Sequence, residues 1–292
     1  MKKMLFLINP VSGKLVLNDC LMDVIEVFSS GDYEINVRLT KSKVDMSEAV
    51  KEAAGYDTVV CCGGDGTLNI VAGAIFEADL DTVIGYIPGG TTNDFANSRR
   101  IDTVAVGAAK QIVEGVVRDT DLGILNGSPF VYVAAFGMFS DVSYQTSREL
   151  KKNLGHAAYL IEGLKSFTTA KPYNAKVTYD GGEIEGDFIY GMVSNSRRVG
   201  GFEMPIMQNV LYDDGEMELV LVRHPKNAAD MQKIINALVT QTADDSMVYM
   251  FKATKVRVES EDDIPWTLDG EFGGAFKDTM VTVEEAAVKM IF

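Results

Sequence analysis

Residues 58–69, TVVCCGGDGTLN, constrain the fold of this chain more than any other stretch. The apolar run from Thr58 to Cys62 is typical of a buried parallel strand, and the turn Gly63–Gly66 separates it from an apolar helix. Glycines let backbone N–H groups approach an anion, and the dipole of a helix favours negative charge at its N-terminus. Asp65 would repel a phosphate unless a divalent cation or water lies between them. The pattern predicts a nucleotide–magnesium site, with an ordinary strand-to-helix connection as the alternative.

Two further predicted strands also end in polar turns. The strand from Lys3 to Ile8 runs into NPVSGK at 9–14, and the strand from Thr82 to Ile87 runs into PGGTTNDFA at 88–96. NPVSGK lacks the first glycine of a Walker A motif, so it is not interpreted as a P-loop. Thr40 ends another predicted strand. Because the carboxyl ends of parallel strands meet at one edge of the sheet, these turns are predicted to converge on one crevice.

The order of the predicted elements indicates two domains. Strand–helix alternation through residue 122 predicts a doubly wound α/β domain, 1–122, with Asp45 and Glu48 interpreted as a capping box for one of its helices. Short strands punctuated by turns predict an antiparallel β-sandwich domain, 123–292, with the return of the last strand to the first domain left open. The strands predicted there are Pro129–Phe136, Asn174–Tyr179, Asp187–Ser194, Glu216–Val222, Met247–Glu259 and Thr279–Val283, with helices near Ser143–Ser166 and Asn227–Gln241.

Composition narrows the class of protein. The net charge of −15 argues against nucleic acid as a partner. No apolar run approaches the roughly 20 residues of a membrane span, and the start MKKMLFLINP is interpreted as a first strand rather than a signal peptide. Three cysteines, two of them adjacent in a predicted core strand, do not make a disulfide framework, so a cytoplasmic location is expected.

Three motifs stand in order along the chain: NPVSGK at 9–14, GGDGTLN at 63–69 and PGGTTNDFA at 88–96. Together they resemble the diacylglycerol kinase catalytic family, which also contains sphingosine and ceramide kinases and bacterial lipid-kinase relatives. GGDGT alone is less specific, because NAD kinases share it. The likeness extends to Asp121, to LYDDG at 211–215 and to LDGE at 268–271, so it covers essentially the whole chain.

The resemblance implies an NAD kinase/diacylglycerol kinase-like fold and an ATP-dependent kinase that uses Mg²⁺ to phosphorylate a hydroxyl of diacylglycerol or a related long-chain lipid alcohol. ATP would lie in the cleft between the domains. The nucleotide-binding residues implied are Asn9, Pro10, Val11, Ser12, Gly13, Thr40, Gly64, Asp65, Gly66, Thr67, Leu68, Asn69, Ile70, Thr91, Asn93 and Asp94.

Two metal sites follow from the same resemblance. Asp65, Asp94 and Asp121 would form an acidic, water-mediated magnesium network, and a structural metal in the second domain matches Asp214 with the backbone carbonyls of Leu211 and Glu216. Two features depart from the family: relatives commonly have Glu where this chain has Ile70, and the arginine pair at 197–198 is not expected.

Phosphoryl transfer needs a carboxylate that faces the γ-phosphate from the acceptor side. Asp269 and Glu271 flank Gly270 near the end of a strand predicted to begin near Ile264, and alternation would place both carboxylates on one face. One of the two is the predicted general base, and the choice between them stays open. Asp65 is counted with them as a catalytic carboxylate, and an ordinary acidic turn is the alternative for the DGE sequence.

A lipid acceptor implies a peripheral, transient contact with a membrane surface. The segment Arg148–Lys171 has the composition of a basic amphipathic helix, although packing on its own domain is the favoured interpretation. A homodimer is left open. Two other functions compete with the lipid kinase: a kinase of a soluble acceptor such as NAD, and a nucleotide-binding relative without catalytic activity.

Overall fold

The computed structural model describes residues 1–10, 16–138, 170–200, 202–203, 210–240, 243–244 and 246–292. Its first part alternates strands and helices, and the strands lie side by side in parallel in the order β4-β3-β1-β2. The bounds are β1 Lys2–Ile8, α1 Leu21–Ser30, β2 Tyr33–Leu39, α2 Lys43–Lys51, β3 Thr58–Gly63, α3 Asp65–Glu77, β4 Val83–Pro88, α4 Asp94–Arg99 and α5 Ala105–Glu114.

The second part is rich in antiparallel strands, so the predicted order of an α/β domain followed by a β-sandwich-like domain is confirmed. Its bounds are β5 Val117–Leu125, β6 Ser128–Phe130, β7 Val133–Gly137, β8 Tyr173–Tyr179, β9 Gly182–Ser194, β10 Arg198–Val199, β11 Phe202–Glu203, β12 Met217–Arg223, α6 Ala228–Thr240, β13 Val248–Ala253, β14 Lys255–Leu268 and β15 Glu271–Ile291.

The long strand β15 connects the two parts. It pairs antiparallel with β14 and β5 along most of its length, and its last residues pair in parallel with β4, Met290 opposite Ile84. The hydrogen-bonded network is therefore continuous from the β-rich part into the parallel sheet. The predicted boundary at residue 122 lies within β5 and stays a prediction.

Each part has its own apolar core. All six residues of β3 are buried, as expected for a parallel strand covered on both faces by helices. The core of the β-rich part includes Trp266, whose ring packs edge-on against Phe136 with 4.8 Å between the ring centroids.

Among the described residues, no helix is long and apolar enough to cross a bilayer.

Several element boundaries differ from the sequence-based predictions. The predicted strand Pro129–Phe136 is broken into β6 and β7, and Met247–Glu259 is broken into β13 and β14. Asp121, which the resemblance assigns to a metal, lies in the middle of β5. The predicted helix Ser143–Ser166 and almost all of Arg148–Lys171 lie outside the described residues.

The predicted capping box of α2 is wrong. Ser42 is the N-cap residue, and its hydroxyl accepts the backbone N–H of Asp45 at 3.1 Å. The Asp45 carboxylate reaches back to the backbone N–H of Lys41 at 2.7 Å and also binds Arg38. The helix begins at Lys43, so Asp45 lies inside its first turn and Ser42 holds the N-cap position.

Trp266 provides a test of the β-rich core. Its side chain is 1% exposed, and its indole Nε1 has no hydrogen-bond partner among the described residues. Trp266→Ala is expected to lower the free energy of unfolding by about 3–5 kcal/mol, measured by urea denaturation, because it leaves a large cavity. Trp266→Phe keeps an aromatic ring and removes the unpaired N–H, so its free energy of unfolding should fall markedly less than that of Trp266→Ala. Equal losses for the two variants would contradict this account.

Candidate active site

The turns after β3 and β4 lie against each other. The backbone N–H of Gly89 donates to the carbonyl of Gly63 at 2.6 Å, and a Cβ added to Gly90 would lie 2.8 Å from the Cα of Gly64. Only residues without side chains allow this backbone-to-backbone approach. Two glycine turns at the ends of adjacent parallel strands therefore share one crevice, as the sequence pattern predicts.

The Asp65 carboxylate joins these turns. It is buried at the start of α3 and accepts the backbone N–H groups of Asp94, at 3.0 Å, and Phe95, at 3.3 Å, from the first turn of α4. Burial raises the pKa of Asp65 to about 7; the charges of Asp94 and Asp269 act in the same direction, and the two hydrogen bonds oppose it. Asp65 thus holds the second turn to the first, and its negative charge is incompletely compensated.

Other predicted nucleotide residues lie at the same edge of the sheet. The Asn9 side chain donates to the Thr67 hydroxyl at 3.1 Å, which ties the end of β1 to α3. Thr40 is buried and bonds the Ile8 carbonyl through its backbone N–H and its hydroxyl. These contacts bring the carboxyl ends of β1 and β2 to the glycine turns.

Asn93 closes the second turn on itself. It adopts a left-handed backbone conformation, with φ of 49°, and exchanges two hydrogen bonds with the backbone of Gly90, at 2.8 and 3.1 Å. Thr91, which lies between Gly90 and Asn93 in the sequence, is exposed. Leu68, another residue assigned to the nucleotide, is fully buried in the core and exposes no group at the turns. Pro10 is exposed, while Val11, Ser12 and Gly13 lie outside the described residues.

The carboxylates of the DGE sequence do not share one strand face. Asp269 and Gly270 both have positive φ, 49° and 85°, and they form the two-residue turn between β14 and β15, where Leu268 pairs with Glu271. Asp-Gly is a favoured hairpin turn for this reason. The prediction that alternation places Asp269 and Glu271 on one face is therefore wrong, because the chain reverses between them.

Asp269 is buried, and both of its carboxylate oxygens accept hydrogen bonds. Its carboxylate accepts the backbone N–H groups of Val131, Tyr132 and Val133 at 2.7–3.0 Å and the Asn69 amide at 2.6 Å. Burial raises its pKa, and these four hydrogen bonds oppose that shift. The break between β6 and β7 has its explanation here, because the chain bends at 131–132 so that three consecutive N–H groups point at one carboxylate.

Glu271 lies in the open, beside the first glycine turn. Its side chain is 50% exposed and forms an ion pair with Lys43, at the start of α2. A Cβ added to Gly66 would lie 2.8 Å from a Glu271 carboxylate oxygen. The structure thus brings Glu271 to the GGDG turn although some 200 residues separate them in sequence. Sequence reasoning missed Lys43, which no motif marks.

A cavity of about 430 Å³ adjoins Glu271. Its volume is within the range of pockets that bind nucleosides and other small ligands. α2, α3, the β5–β6 hairpin and the β14–β15 hairpin form its walls, and the lining residues include Lys43, Val44, Gly66, Asn69, Ile70, Pro129, Leu268, Glu271 and Phe272. Three residues that the resemblance assigns to the nucleotide, Gly66, Asn69 and Ile70, therefore line this cavity.

The loop 211–216 of the β-rich part is a second acidic region. Both Asp121 oxygens are occupied, one by the backbone N–H of Gly215 at 2.9 Å and the other by that of Ala286 at 2.8 Å. Asp214, which the resemblance assigns to a metal, forms an ion pair with the Lys252 ammonium group. No group of three or more metal-ligating side chains occurs in the part of the chain that the structure describes.

Glu218 lies next to this loop and was also missed from sequence. It is buried in β12, burial raises its pKa to about 7, and its Oε2 atom has no hydrogen-bond partner among the described residues. The available signal was the spacing of Glu216 and Glu218, because side chains two residues apart in an extended segment point the same way. Asp214 and Glu216 present carboxylate oxygens, the ligands that hard divalent cations prefer, to one position that the Lys252 ammonium group now neutralises.

Sequence comparisons connect the chain to known proteins. The family described as "Diacylglycerol kinase catalytic domain" matches residues 3–125, and "YegS C-terminal NAD kinase beta sandwich-like domain" matches residues 133–292. The diacylglycerol kinase of Bacillus subtilis (strain 168) is 31% identical over 286 residues, 97% of this chain and 94% of that protein. A diacylglycerol kinase of Staphylococcus aureus (strain JH9) is 30% identical over 287 residues, 97% of this chain and 90% of that protein.

Two crystal structures from Bacillus anthracis str. Sterne share the fold over 100% of this chain and 97% of theirs. One has a TM-score of 0.83 at 25% identity. The other, of a diacylglycerol kinase, has a TM-score of 0.78 at 21% identity and shows likeness of fold alone.

The contact between the glycine turns generates a prediction. Gly90→Ala places a methyl group against the Gly64 backbone, so it should lower the free energy of unfolding by about 1–3 kcal/mol and weaken ATP binding. Gly64→Ala is the matched control, because its Cβ would lie at an ordinary 3.4 Å from Gly90. Calorimetric titration with ATP measures both variants, and ATP affinity that falls no further in Gly90→Ala than in Gly64→Ala would contradict the role of this contact.

Proposed function

The chain belongs to the diacylglycerol kinase catalytic domain family and is a lipid kinase, and we propose that it transfers the γ-phosphate of ATP to a hydroxyl of diacylglycerol or a related long-chain lipid alcohol. The observation that carries this proposal is the position of Glu271, an accessible carboxylate adjoining Gly66 of the glycine turn. A kinase needs a carboxylate there to receive the proton of the attacking hydroxyl.

We propose that the phosphates of ATP bind at the joined turns of Gly64 and Gly90 and that the nucleoside enters the cavity beyond Gly66. The absence of side chains at the turns supports this arrangement, because it exposes backbone N–H groups at the N-terminus of α3. The apolar cavity wall at Ile70 and Val44 suits a base or ribose ring.

Mg²⁺ bound with the nucleotide would neutralise charge on the transferring phosphate. The carboxylates proposed to hold it through water are Asp65 and Asp94, at the two turns. The raised pKa of Asp65 supports this, because a buried carboxylate with incompletely compensated charge gains from a nearby cation. Asp121 is assigned instead to positioning the loop 211–216, because its carboxylate binds the backbone N–H groups of Gly215 and Ala286 and the charges that act on it are those of Asp214 and Asp213.

Glu271 is proposed as the general base and Asp269 as its support. In the proposed step the acceptor hydroxyl oxygen bonds to the γ-phosphorus while its proton passes to Glu271, and the bond to the bridging oxygen breaks to release ADP. Asp269 is a poor candidate, because its oxygens accept four hydrogen bonds and its side chain is buried. Those bonds hold the β14–β15 hairpin so that Glu271 meets the turn.

Two further proposals concern where the protein acts in the cell. A lipid alcohol reaches the enzyme from a bilayer, so we propose a transient contact with a membrane surface. The free cysteines Cys20, Cys61 and Cys62 are consistent with a reducing, cytoplasmic location.

The reaction is tested by incubating the protein with γ-labelled ATP, Mg²⁺ and mixed vesicles that contain diacylglycerol or other long-chain alcohols. Label is expected in an extractable lipid, and its chromatographic identity names the acceptor. A parallel reaction with NAD measures NADP formation. Label confined to NADP, or no labelled lipid across the panel, would overturn the proposed acceptor class.

Replacing each carboxylate of the hairpin by its amide separates the two roles. Glu271→Gln should lower kcat by about 10²–10⁴-fold, because a general base is lost, while the midpoint of thermal unfolding stays near that of the unsubstituted protein. Asp269→Asn should lower the free energy of unfolding by at least about 2 kcal/mol, because an amide cannot accept the same set of hydrogen bonds. The assignment is reversed if Asp269→Asn folds normally without activity and Glu271→Gln remains active.

A further inference from the structure

Lys252 lies at the centre of the acidic loop 211–216. Its ammonium group contacts the Asp214 carboxylate and lies 3.5 Å from a Glu216 carboxylate oxygen. The backbone N–H of Glu216 also donates to Asp214 at 3.3 Å, and Asp121 holds the backbone N–H of Gly215. The loop therefore folds around one positive charge that the protein itself supplies.

Glu218 faces the same ammonium group from the neighbouring strand. Glu218 of β12 and Lys252 of β13 are directly opposite in the antiparallel register, so their side chains lie on the same face of the sheet. Glu218 is 8% exposed, and its Oε2 atom has no partner within the described ranges of the chain. A buried carboxylate oxygen without a hydrogen bond is unfavourable, so this oxygen is a ready acceptor for a donor that moves a short distance.

A divalent cation and the Lys252 ammonium cannot bind Asp214 together. Both are positive, and like charges a few ångströms apart repel strongly in a partly buried site. Cation binding at the loop therefore requires that the ammonium leaves Asp214. The flexible four-carbon stem of lysine permits this movement, and Glu218 lies directly across the strand pair.

We propose that Lys252 is an internal counter-ion of the 211–216 loop, and that a divalent cation displaces it from Asp214 onto Glu218. The inference takes from the family resemblance that this loop is a cation site, and it does not depend on which lipid is phosphorylated. Lys252 keeps the loop folded when the cation is scarce and lowers its affinity for the cation by competition. Glu218 partly offsets that competition, because it gives the displaced ammonium a second carboxylate.

A double-mutant cycle tests this exchange in the full-length, nucleotide-free protein. Mg²⁺ and Mn²⁺ are titrated by calorimetry into the unsubstituted protein, Lys252→Met, Glu218→Gln and the double variant, and Asp214→Asn identifies which binding event belongs to the loop. Lys252→Met should bind the cation about tenfold more tightly, because the competing charge is gone. Glu218→Gln should bind it several-fold more weakly, and this loss should be clearly smaller in the Lys252→Met background, because most of the effect of Glu218 passes through the ammonium.

The thermal unfolding midpoints of the same variants are also measured in the presence of a chelator. The chelator removes divalent cations, so these midpoints report the stability of the protein with the loop free of metal. Lys252→Met should unfold at a lower temperature than the unsubstituted protein and regain the difference when Mg²⁺ is added, while Lys252→Arg, which keeps the charge, should not depend on the cation in this way. Unchanged or weaker cation binding in Lys252→Met would contradict the proposal that Lys252 competes with the cation. A Glu218→Gln effect on cation affinity that is equally large with and without Lys252 would overturn the transfer onto Glu218.

The outcome is separable from that of the lipid kinase proposal. If Asp214→Asn removes no binding event while labelled lipid still forms, the cation site is wrong and the proposed function stands. If the cycle behaves as expected but no lipid is labelled, the counter-ion stands and the acceptor assignment is wrong.

Discussion

The buried carboxylate of Asp269 is the interaction on which the arrangement of the candidate site depends. It accepts hydrogen bonds from the 131–133 bend and from Asn69 of α3, so it connects the β-rich part to the helix that carries the glycine turn. Hydrogen bonds to a charged acceptor are stronger than neutral ones, and breaking them inside a protein is costly. The hairpin after Asp269 is held by this group, and Glu271 begins the strand that follows.

The carboxylates of the candidate site fall into two groups: some are buried and hold backbone segments together, and one is accessible to a substrate. Asp65, Asp121 and Asp269 are buried and each accepts two or more backbone N–H groups, which ties turns, loops and strands together. Glu271 is half exposed and pairs only with the flexible Lys43 among the contacts described. A buried carboxylate whose oxygens are taken by backbone donors cannot reach a substrate hydroxyl, whereas an accessible one can. Burial and hydrogen bonding distinguish the two groups.

Much of this arrangement was predictable from the sequence. The buried run Thr58–Gly63, its glycine turn and the second turn at Gly89–Gly90 follow from local rules, because apolar length, glycine content and helix periodicity report on nearby backbone. The fold class and the meeting of the two turns follow as well, since adjacent parallel strands end at one edge. The DGE sequence was misjudged because the Asp-Gly pair was treated as part of a strand, although its turn preference was available from the sequence.

The sequence by itself determined the order of strands and helices, the glycine turns and the family to which the chain belongs, because these depend on residues close together along the chain. Only the tertiary structure decided which carboxylates are buried, that Asp269 is enclosed by hydrogen bonds while Glu271 is exposed beside Gly66, and that Lys43 and Lys252 pair with acidic groups. The physical reason is that the ionisation, accessibility and hydrogen bonds of a side chain are set by neighbours that come from other strands. Glu271 and Gly66, or Asp214 and Lys252, become neighbours only when the β-sheet has assembled.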